Sequence, residues 1–224
     1  MDKTAKQVLV IAPHLDDEVL GCGCAILHHV AQGDRVHVVF AAHRVYNHAY
    51  DDTAMAIQKD HAEKARSILG YHGAVYLDLP DERLDACVQD IIIPLEEAVG
   101  TINPQIVYSP FCQDNNQDHR AVAGAVQVVL RPMSSAVERW LMYETASSTE
   151  QAPNVGAPIF APTVYLHAAS LLEAKTAALA CYEDENKPYP HPRSSEGLRA
   201  LAMKRGMEAG MDMAEAFMMV RERI

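Results

Sequence analysis

The hexapeptide Pro13-His14-Leu15-Asp16-Asp17-Glu18 places one imidazole and three carboxylates directly after an apolar run. Imidazole nitrogens and carboxylate oxygens are ligands for metals such as zinc, and a carboxylate outside the metal's ligand set can take a proton from water. The stretch therefore carries the groups needed for metal-assisted hydrolysis. A helix start is the alternative interpretation, because acidic side chains in a first turn cap free amides and interact favourably with the helix dipole.

The elements around the hexapeptide indicate where it lies in the fold. Residues 8–12 have the continuous apolar character of a buried parallel strand, and residues 19–30 have the pattern of a helix. Similar apolar runs and helical patterns alternate along the chain, as in βαβ units. The further predicted strands are residues 36–41, 74–77, 105–109 and 137–143, and the further predicted helices are residues 53–69, 84–99, 118–130, 168–181 and 195–210.

This alternation predicts an α/β fold, a single-domain Rossmann-like three-layer sandwich with a mostly parallel sheet that comprises residues 1–224. Residues 147–162 carry prolines, glycines and short polar side chains, which predicts a long loop. Residues 213–220 could form a closing strand or a helix. In such a sheet the first and fourth strands are neighbours, and ligands bind in the crevice beyond their carboxyl ends.

Composition excludes several classes of function. The formal net charge of -11 argues against a nucleic-acid binder or a binder of anionic membranes, since both require basic surfaces. No apolar run approaches the roughly 20 residues of a membrane span, and the first six residues do not resemble a signal peptide. We therefore expect a cytoplasmic protein that acts on a small molecule, with homo-oligomerisation left open. The five cysteines are expected to be reduced, and Cys22-Gly23-Cys24 is too closely spaced for a usual zinc knuckle.

A second polar loop, residues 109–120, leads out of the predicted fourth strand and contains His119. If the first and fourth strands are neighbours, His119 faces His14 and Asp17 across the crevice. Two histidine nitrogens and one carboxylate leave a fourth position open, which is the plan of a catalytic zinc site. Asp16 would then be a carboxylate outside the metal that could accept the proton of water. Taken alone, a loop histidine such as His119 is more often a surface or hydrogen-bonding residue than a ligand, and its position on the crevice loop is what favours a metal.

The sequence Pro13 to Glu18, followed by Val19-Leu20-Gly21-Cys22-Gly23, together with Gln117-Asp118-His119-Arg120, resembles the PIG-L/LmbE-like deacetylases. These are zinc-dependent enzymes that remove acetyl groups from N-acetylglucosamine-type sugars. The similarity continues through Leu77-Asp78-Leu79-Pro80-Asp81, Tyr143-Glu144-Thr145-Ala146-Ser147-Ser148, His191-Pro192-Arg193-Ser194 and Ala214-Glu215-Ala216-Phe217, so that it covers nearly the whole chain.

The resemblance implies specific roles for residues of both motifs. It implies that His14, Asp17 and His119 hold Zn²⁺ and that Asp16 is the general base for a water molecule activated by the metal. Asp16 would then pass a proton to the departing amine, which gives acetate and a free amino sugar. Asp118 is expected to orient a ligand imidazole from outside the ligand set, with an N-cap of the following helix as the alternative.

One position departs from the family pattern. The second motif of the family usually has a histidine three residues before the metal-binding one, and this chain has Asn116 there. An amide can donate a hydrogen bond to an oxyanion, but it cannot donate a proton as an imidazolium can. Three possibilities follow: Asp16 carries out both proton transfers, His191 or His43 enters the pocket, or the reaction is that of a hydratase or another hydrolase on the same fold.

Four further residues are candidates for contacting the substrate. Arg44 and Arg193 could bind a sugar hydroxyl or a phosphate, His191 lies beside Arg193, and Tyr143 ends the predicted fifth strand. The alternatives are surface arginines and an edge-strand tyrosine with a solvated hydroxyl. A non-catalytic sugar-binding scaffold, in which the acidic residues only cap helices, is the remaining hypothesis for the whole chain; it predicts no stoichiometric metal.

Overall fold

A computed structural model describes residues 5–43, 52–133, 135–153, 156 and 158–224. Its elements alternate between strands and helices, as the hydrophobic pattern predicts. The strands are β1 (Gln7–Ala12), β2 (Arg35–His43), β3 (Gly73–Pro80), β4 (Ile106–Pro110), β5 (Arg139–Tyr143), β6 (Val164–His167) and β7 (Ala214–Glu222). The helices are α1 (Asp17–Ala31), α2 (Asp52–Leu69), α3 (Val88–Ile102), α4 (Gln117–Val129), α5 (Leu172–Ala180) and α6 (Ser195–Ala209).

The strands form one sheet in the order β3-β2-β1-β4-β5-β7-β6. Strands β1 to β5 are parallel to one another, whereas β7 is antiparallel to both β5 and β6. The chain builds outward from β1 to β3 and then crosses back, so that β4 pairs with β1 on its other side. The predicted mostly parallel α/β fold is therefore confirmed, and the crevice predicted between the first and fourth strands lies where the winding reverses.

Side chains of the central strands alternate between two apolar layers, because successive residues of a strand point to opposite faces. Val8 and Val10 pack with α1, α2 and α5 on one face of the sheet, in a cluster that includes Val19, Ala62 and Ala178. Leu9 and Ile11 pack with α3 and α4 on the other face. The rigid, doubly covered strands β1 and β4 thus fix the loops that follow them.

The structure corrects or completes the sequence prediction at several places. The predicted helix 84–99 is a short 3₁₀ turn at Leu84–Ala86 followed by α3. Strand β6 lies between the predicted loop 147–162 and the helix predicted from residue 168, where no strand was predicted. The ambiguous residues 213–220 form strand β7. Strand β5 lies between β4 and β7, so that Tyr143 is not on an edge strand. No helix in the described ranges has the length and apolar content required to cross a bilayer.

Candidate active site

Three side chains of the types that bind metals converge at the carboxyl ends of β1 and β4. His14 lies in the loop after β1, Asp17 opens α1, and His119 lies in the first turn of α4. All three are buried, and ligand-type atoms of the three side chains lie within 4.8 Å of one another. The topology thus brings together residues that are more than one hundred positions apart in the sequence.

Each imidazole turns one nitrogen toward the same carboxylate oxygen. His14 Nδ1 lies 3.3 Å from Asp17 Oδ2, and His119 Nε2 lies 3.2 Å from that oxygen. The other oxygen, Asp17 Oδ1, is buried and has no hydrogen-bond partner among the described residues. Buried carboxylate oxygens are normally paired, so that this oxygen marks a position for a ligand. Two imidazoles and one carboxylate are a donor set that suits zinc, and these residues therefore fit the expected metal.

The remaining nitrogen of each imidazole faces a carboxylate on the side away from Asp17. His14 Nε2 lies 3.0 Å from Asp81 Oδ1 and 3.2 Å from Asp118 Oδ2. His119 Nδ1 lies 3.3 Å from Asp114 Oδ1. Outer carboxylates of this kind fix the tautomer and the orientation of imidazoles that bind metals. Asp118 therefore lies beside the His14 imidazole, and its predicted role of orienting a metal ligand stays a prediction.

The electrostatics of the cluster favour a positive charge at its centre. Burial alone would lower the pKa of His14, but hydrogen bonds with Asp118, Asp17 and Asp81 raise it well above its usual value. Burial likewise opposes protonation of His119, yet Asp17 and Asp114 raise the pKa of His119 to about 9. Burial would raise the pKa of Asp17, and the two imidazoles instead lower it well below its usual range. A bound cation would take the place of these imidazole protons.

Asp16 does not act as a helix cap. It occupies the N-cap position of α1, but its side chain makes no capping hydrogen bond, and its backbone φ of 144° lies in a region that non-glycine residues rarely adopt. Its carboxylate instead accepts a hydrogen bond from Arg193 Nη1 at 2.7 Å, and its backbone N–H donates to Glu18 Oε2 at 3.1 Å. Such strain persists only where the surroundings enforce it, which is common at functional sites.

The capping role in the second motif belongs to Asn116 rather than to Asp118. Asn116 Oδ1 accepts a hydrogen bond from the backbone N–H of Asp118 at 2.8 Å and thereby caps α4. The Asp118 carboxylate accepts hydrogen bonds from the backbone N–H groups of Glu82 and Leu84, at 2.7 and 3.1 Å. The alternative prediction that Asp118 caps the helix is therefore wrong. Because the Asn116 oxygen is used for the cap, its amide nitrogen is the group left for donating.

The candidates for substrate contact are distributed differently from the prediction. Tyr143 is fully buried, and its hydroxyl donates to the carbonyl oxygen of Ile11 at 2.8 Å, so that it supports strand β1 instead of facing a substrate. Arg193 contacts Asp16, and His191 Nδ1 accepts a hydrogen bond from the backbone N–H of Arg193 at 3.1 Å.

The remaining candidates are Arg44 and His43. Arg44 lies outside the described residues. His43, one of the two histidines considered for the pocket, instead faces Asp78, with its Nε2 2.7 Å from Asp78 Oδ1.

Sequence reasoning did not identify Asp81 and Asp114 as parts of the site. Both are buried acids that follow parallel strands, β3 and β4, and the carboxyl ends of these strands lie at the edge of the sheet that carries His14. Asp114 also accepts hydrogen bonds from the hydroxyls of Ser148 and Thr149, which ties the loop after β5 to the site. The sequence could have indicated both acids, because each follows a predicted parallel strand whose carboxyl end borders the site.

Comparisons with known proteins agree with this architecture. The chain matches the family model "PIG-L: GlcNAc-PI de-N-acetylase" over residues 9–130, which contain both motifs. It is 30% identical over 149 residues to the uncharacterized deacetylase YaiS of Escherichia coli strain K12, and the alignment covers 64% of this chain and 76% of YaiS.

Three solved structures share the fold over nearly the whole chain. The conserved protein TT1542 from Thermus thermophilus is 22% identical with a TM-score of 0.79, covering 98% of this chain and 96% of TT1542. The N,N'-diacetylchitobiose deacetylase from Pyrococcus horikoshii is 21% identical with a TM-score of 0.77, covering 97% and 84%. The 4-carboxy-2-hydroxymuconate hydratase GalB from Pseudomonas putida KT2440 is 21% identical with a TM-score of 0.77, covering 98% of each chain.

The two solved enzymes catalyse different reactions on one fold, so that these structural similarities establish the fold alone. The family model is more informative, because it matches more than half of the 224 residues and includes His14, Asp16, Asp17 and His119. The chain therefore belongs to the PIG-L family of de-N-acetylases, and it is a hydrolytic enzyme that cleaves an amide bond.

Proposed function

We propose that this protein is a zinc-dependent deacetylase that removes the N-acetyl group from an N-acetylglucosamine-type sugar or conjugate. The observation that carries the proposal is the convergence of His14, Asp17 and His119 within 4.8 Å, with Asp17 Oδ1 buried and without a hydrogen-bond partner among the described residues. Family membership supplies the class of reaction, and the diacetylchitobiose deacetylase with the same fold supports a sugar substrate.

In this proposal His14, Asp17 and His119 hold the zinc ion, and Asp81, Asp118 and Asp114 keep the two imidazoles oriented. When bound, zinc lowers the pKa of water toward ~7 and polarises a carbonyl oxygen. The outer carboxylates also keep one nitrogen of each imidazole available, since the other nitrogen is held by a hydrogen bond or lies close to an acid.

The proposed proton transfers use Asp16. Its carboxylate takes a proton from the water whose oxygen attacks the acetamide carbon, and it then returns that proton to the amide nitrogen as the carbon–nitrogen bond breaks. The Asn116 amide donates a hydrogen bond to the carbonyl oxygen while negative charge accumulates there. Acetate and a free amine leave in equal amounts. No imidazolium at position 116 is needed, because Asp16 carries the proton in both directions.

The direct test is a screen of N-acetylated sugars with the zinc-loaded protein, in which free amine and acetate are measured independently. The proposal predicts at least one substrate that yields both products in a one-to-one ratio. Amine without acetate would indicate a different acyl group, and the absence of both products across free, phosphorylated and nucleotide-linked N-acetylglucosamine would contradict the assigned substrate class.

A hydratase is the second candidate. It is favoured by Asn116, which stands where the family usually has a histidine, and by the fold shared with the hydratase GalB over 98% of both chains. Hydration adds water to a carbon–carbon double bond and breaks no amide bond. Loss of ultraviolet absorbance from an unsaturated dicarboxylic acid, without release of acetate from any acetylated sugar, would support this alternative over deacetylation.

A further inference from the structure

The guanidinium of Arg193 is bound by side chains of the protein itself and is not held out for a substrate. Its Nη1 donates to Asp16 Oδ2 at 2.7 Å and also contacts Glu185 Oε2, while its Nε donates to Ser147 Oγ at 2.7 Å. The Arg193 side chain is 11% exposed, and those of Asp16 and Glu185 are 2% and 7% exposed. One largely buried cation thus lies between two buried carboxylates.

We propose that Arg193 is a positioning residue that holds the Asp16 carboxylate in place for proton transfer. The inference rests on the proposed function, because it takes Asp16 as the base. Three acidic side chains follow one another at positions 16 to 18. The Arg193 guanidinium supplies a compensating charge to Asp16, as two imidazoles do for Asp17.

The geometry also separates the base from the metal ligands. Asp16 and Asp17 are adjacent carboxylates, and either type of side chain can ligate zinc. Asp17 Oδ2 faces both imidazoles, whereas Asp16 Oδ2 is held by Arg193. The positive φ of Asp16 turns its backbone away from the helical conformation that Asp17 begins. Arg193 therefore gives the two neighbouring acids different partners and, we infer, different roles.

The segment that joins α5 to α6 holds Asp16 through two separate routes. Glu185 and Ser147 bind the Arg193 guanidinium, which contacts the Asp16 side chain. Three residues before Glu185, the Tyr182 hydroxyl donates to Glu18 Oε1 at 2.6 Å, and Glu18 Oε2 accepts the backbone N–H of Asp16. Both the side chain and the backbone of the proposed base are thus fixed from the same segment.

The position of Arg193 in the chain makes its own placement rigid. It directly precedes Ser194, whose hydroxyl accepts the backbone N–H of Gly197 at 2.9 Å and caps α6. A side chain at position 197 would collide with the Pro192 carbonyl oxygen, since an added Cβ would lie 2.4 Å from it. Because the turn before α6 is closely packed, the backbone of Arg193 has a fixed position from which its side chain reaches Asp16.

The test compares three variants of the zinc-loaded enzyme: Arg193→Met, Arg193→Lys and, as a matched control on the exposed side of α6, Arg199→Met. We expect Arg193→Met to lower kcat by 10- to 1,000-fold while KM and the bound zinc stay unchanged. The factor should be the same for a small and for a bulky acetylated sugar. Arg193→Lys retains the charge and should recover at least tenfold of that loss. Arg199→Met should behave as the wild type.

A rise in KM with unchanged kcat, or a loss that depends on the size or charge of the substrate, would show that Arg193 binds substrate and would overturn the proposal. Should Arg193→Met fail to fold, Ser147→Ala tests the same claim, because it removes one hydrogen bond to the guanidinium; kcat should fall two- to tenfold at constant KM, and an unchanged kcat would contradict the proposal.

A crystal structure of the zinc-loaded wild type provides a readout that needs no activity. The proposal requires Asp16 to remain hydrogen-bonded to Arg193 and outside the zinc ligands. Asp16 bound to zinc instead would refute it. If no sugar is deacetylated in the screen, the proposed function fails, yet this structure still decides whether Arg193 holds Asp16.

Discussion

Asp16 is the residue on which the proposed chemistry depends most. It lies one position before a candidate metal ligand, yet its carboxylate contacts Arg193 and does not cap α1. Its proposed role is to move one proton from water to the leaving amine, a contribution that is typically worth a factor of about 10² to 10⁴ in rate. Because Asp16 is not one of the proposed zinc ligands, a substitution of Asp16 can separate proton transfer from zinc binding.

We expect Asp16→Asn to reduce acetate release by about 10²- to 10⁴-fold while the protein retains its bound zinc. The amide keeps the size of the side chain and removes its ability to accept a proton. Steady-state kinetics together with metal analysis of the same preparation test this expectation. Full activity with zinc retained would exclude Asp16 as the base, and loss of zinc would show that Asp16 is instead a ligand.

Asn116 combines a structural and a proposed catalytic role, and Asn116→Ser distinguishes them. A serine hydroxyl can replace the amide oxygen as the cap of α4, so that stability should change by less than about 0.5 kcal/mol. The substitution removes the amide N–H, and we expect kcat to fall about 10- to 100-fold. Urea unfolding and steady-state kinetics measure the two effects. Unchanged kcat would remove Asn116 from the mechanism.

Glu18 gives the structure a defined pH dependence. Burial raises the pKa of Glu18 to about 8; the hydrogen bond from Tyr182 opposes this rise, and the charge of Asp16 adds to it. The unfolded chain releases this proton near pH 4.5, whereas the folded chain retains it up to about pH 8. The associated stability is therefore fully present below pH 4.5 and is lost as the pH rises through 8.

Glu18→Gln removes this titration, so that the wild type should lose stability relative to the variant between pH 5 and pH 8. We expect a relative change of at least about 1 kcal/mol in the free energy of unfolding, measured with urea on chelator-treated protein. A difference between the two proteins that stays constant with pH would show that Glu18 is ionised in the folded state throughout this range.

At the scale of elements, helix α1 must pass very close to strand β5 in order to present Asp17. An added Cβ at Gly21 would lie 2.1 Å from the ring of Tyr143, which is itself fully buried and hydrogen-bonded to Ile11 of β1. A second glycine, Gly23, faces the buried Lys175 side chain, with an added Cβ at 2.8 Å. The two glycines flanking Cys22 thus allow close packing of α1 against Tyr143 and Lys175.

Gly21→Ala should therefore destabilise the protein by about 1–3 kcal/mol, since the methyl group must displace the Tyr143 ring. Gly100→Ala in α3 is the matched control: nothing lies within 4 Å of an added Cβ there, and the substitution should be neutral or stabilise by up to about 1 kcal/mol. Urea unfolding of both variants tests the expectation. Equal stabilities of the two variants would contradict the close approach of α1 and β5.

The elements were predictable from sequence to the extent that local pattern determines them. The continuous apolar runs of β1, β2 and β4 are typical of buried parallel strands, and these strands were identified within one or two residues. Strand β6 has three partly exposed residues, one exposed residue and no distinctive period, and its pairing with β7 is a tertiary interaction that local pattern does not reveal. The 3₁₀ turn at Leu84–Ala86 is likewise fixed by a tertiary contact, because Asp118 in the first turn of α4 accepts a hydrogen bond from the backbone N–H of Leu84.

At the scale of the whole molecule, the winding of the sheet determines the site. Because the chain returns from β3 to place β4 beside β1, the loops after these two strands face each other and bring His119 to His14 and Asp17. This placement followed from sequence once the first and fourth strands were taken as neighbours. The contacts of Arg193 with Asp16 could not be predicted in that way, since they depend on side chains from irregular turns.

The central claim is that one zinc ion held by His14, Asp17 and His119 supports deacetylation, and its most direct test is a zinc titration of chelator-treated protein with acetate release as the readout. We predict that activity rises in proportion to bound zinc and reaches its maximum at one zinc per chain, and that His14→Ala and His119→Ala neither bind zinc tightly nor release acetate. Full activity at far less than one zinc per chain, or tight stoichiometric zinc binding by either variant, would contradict the account.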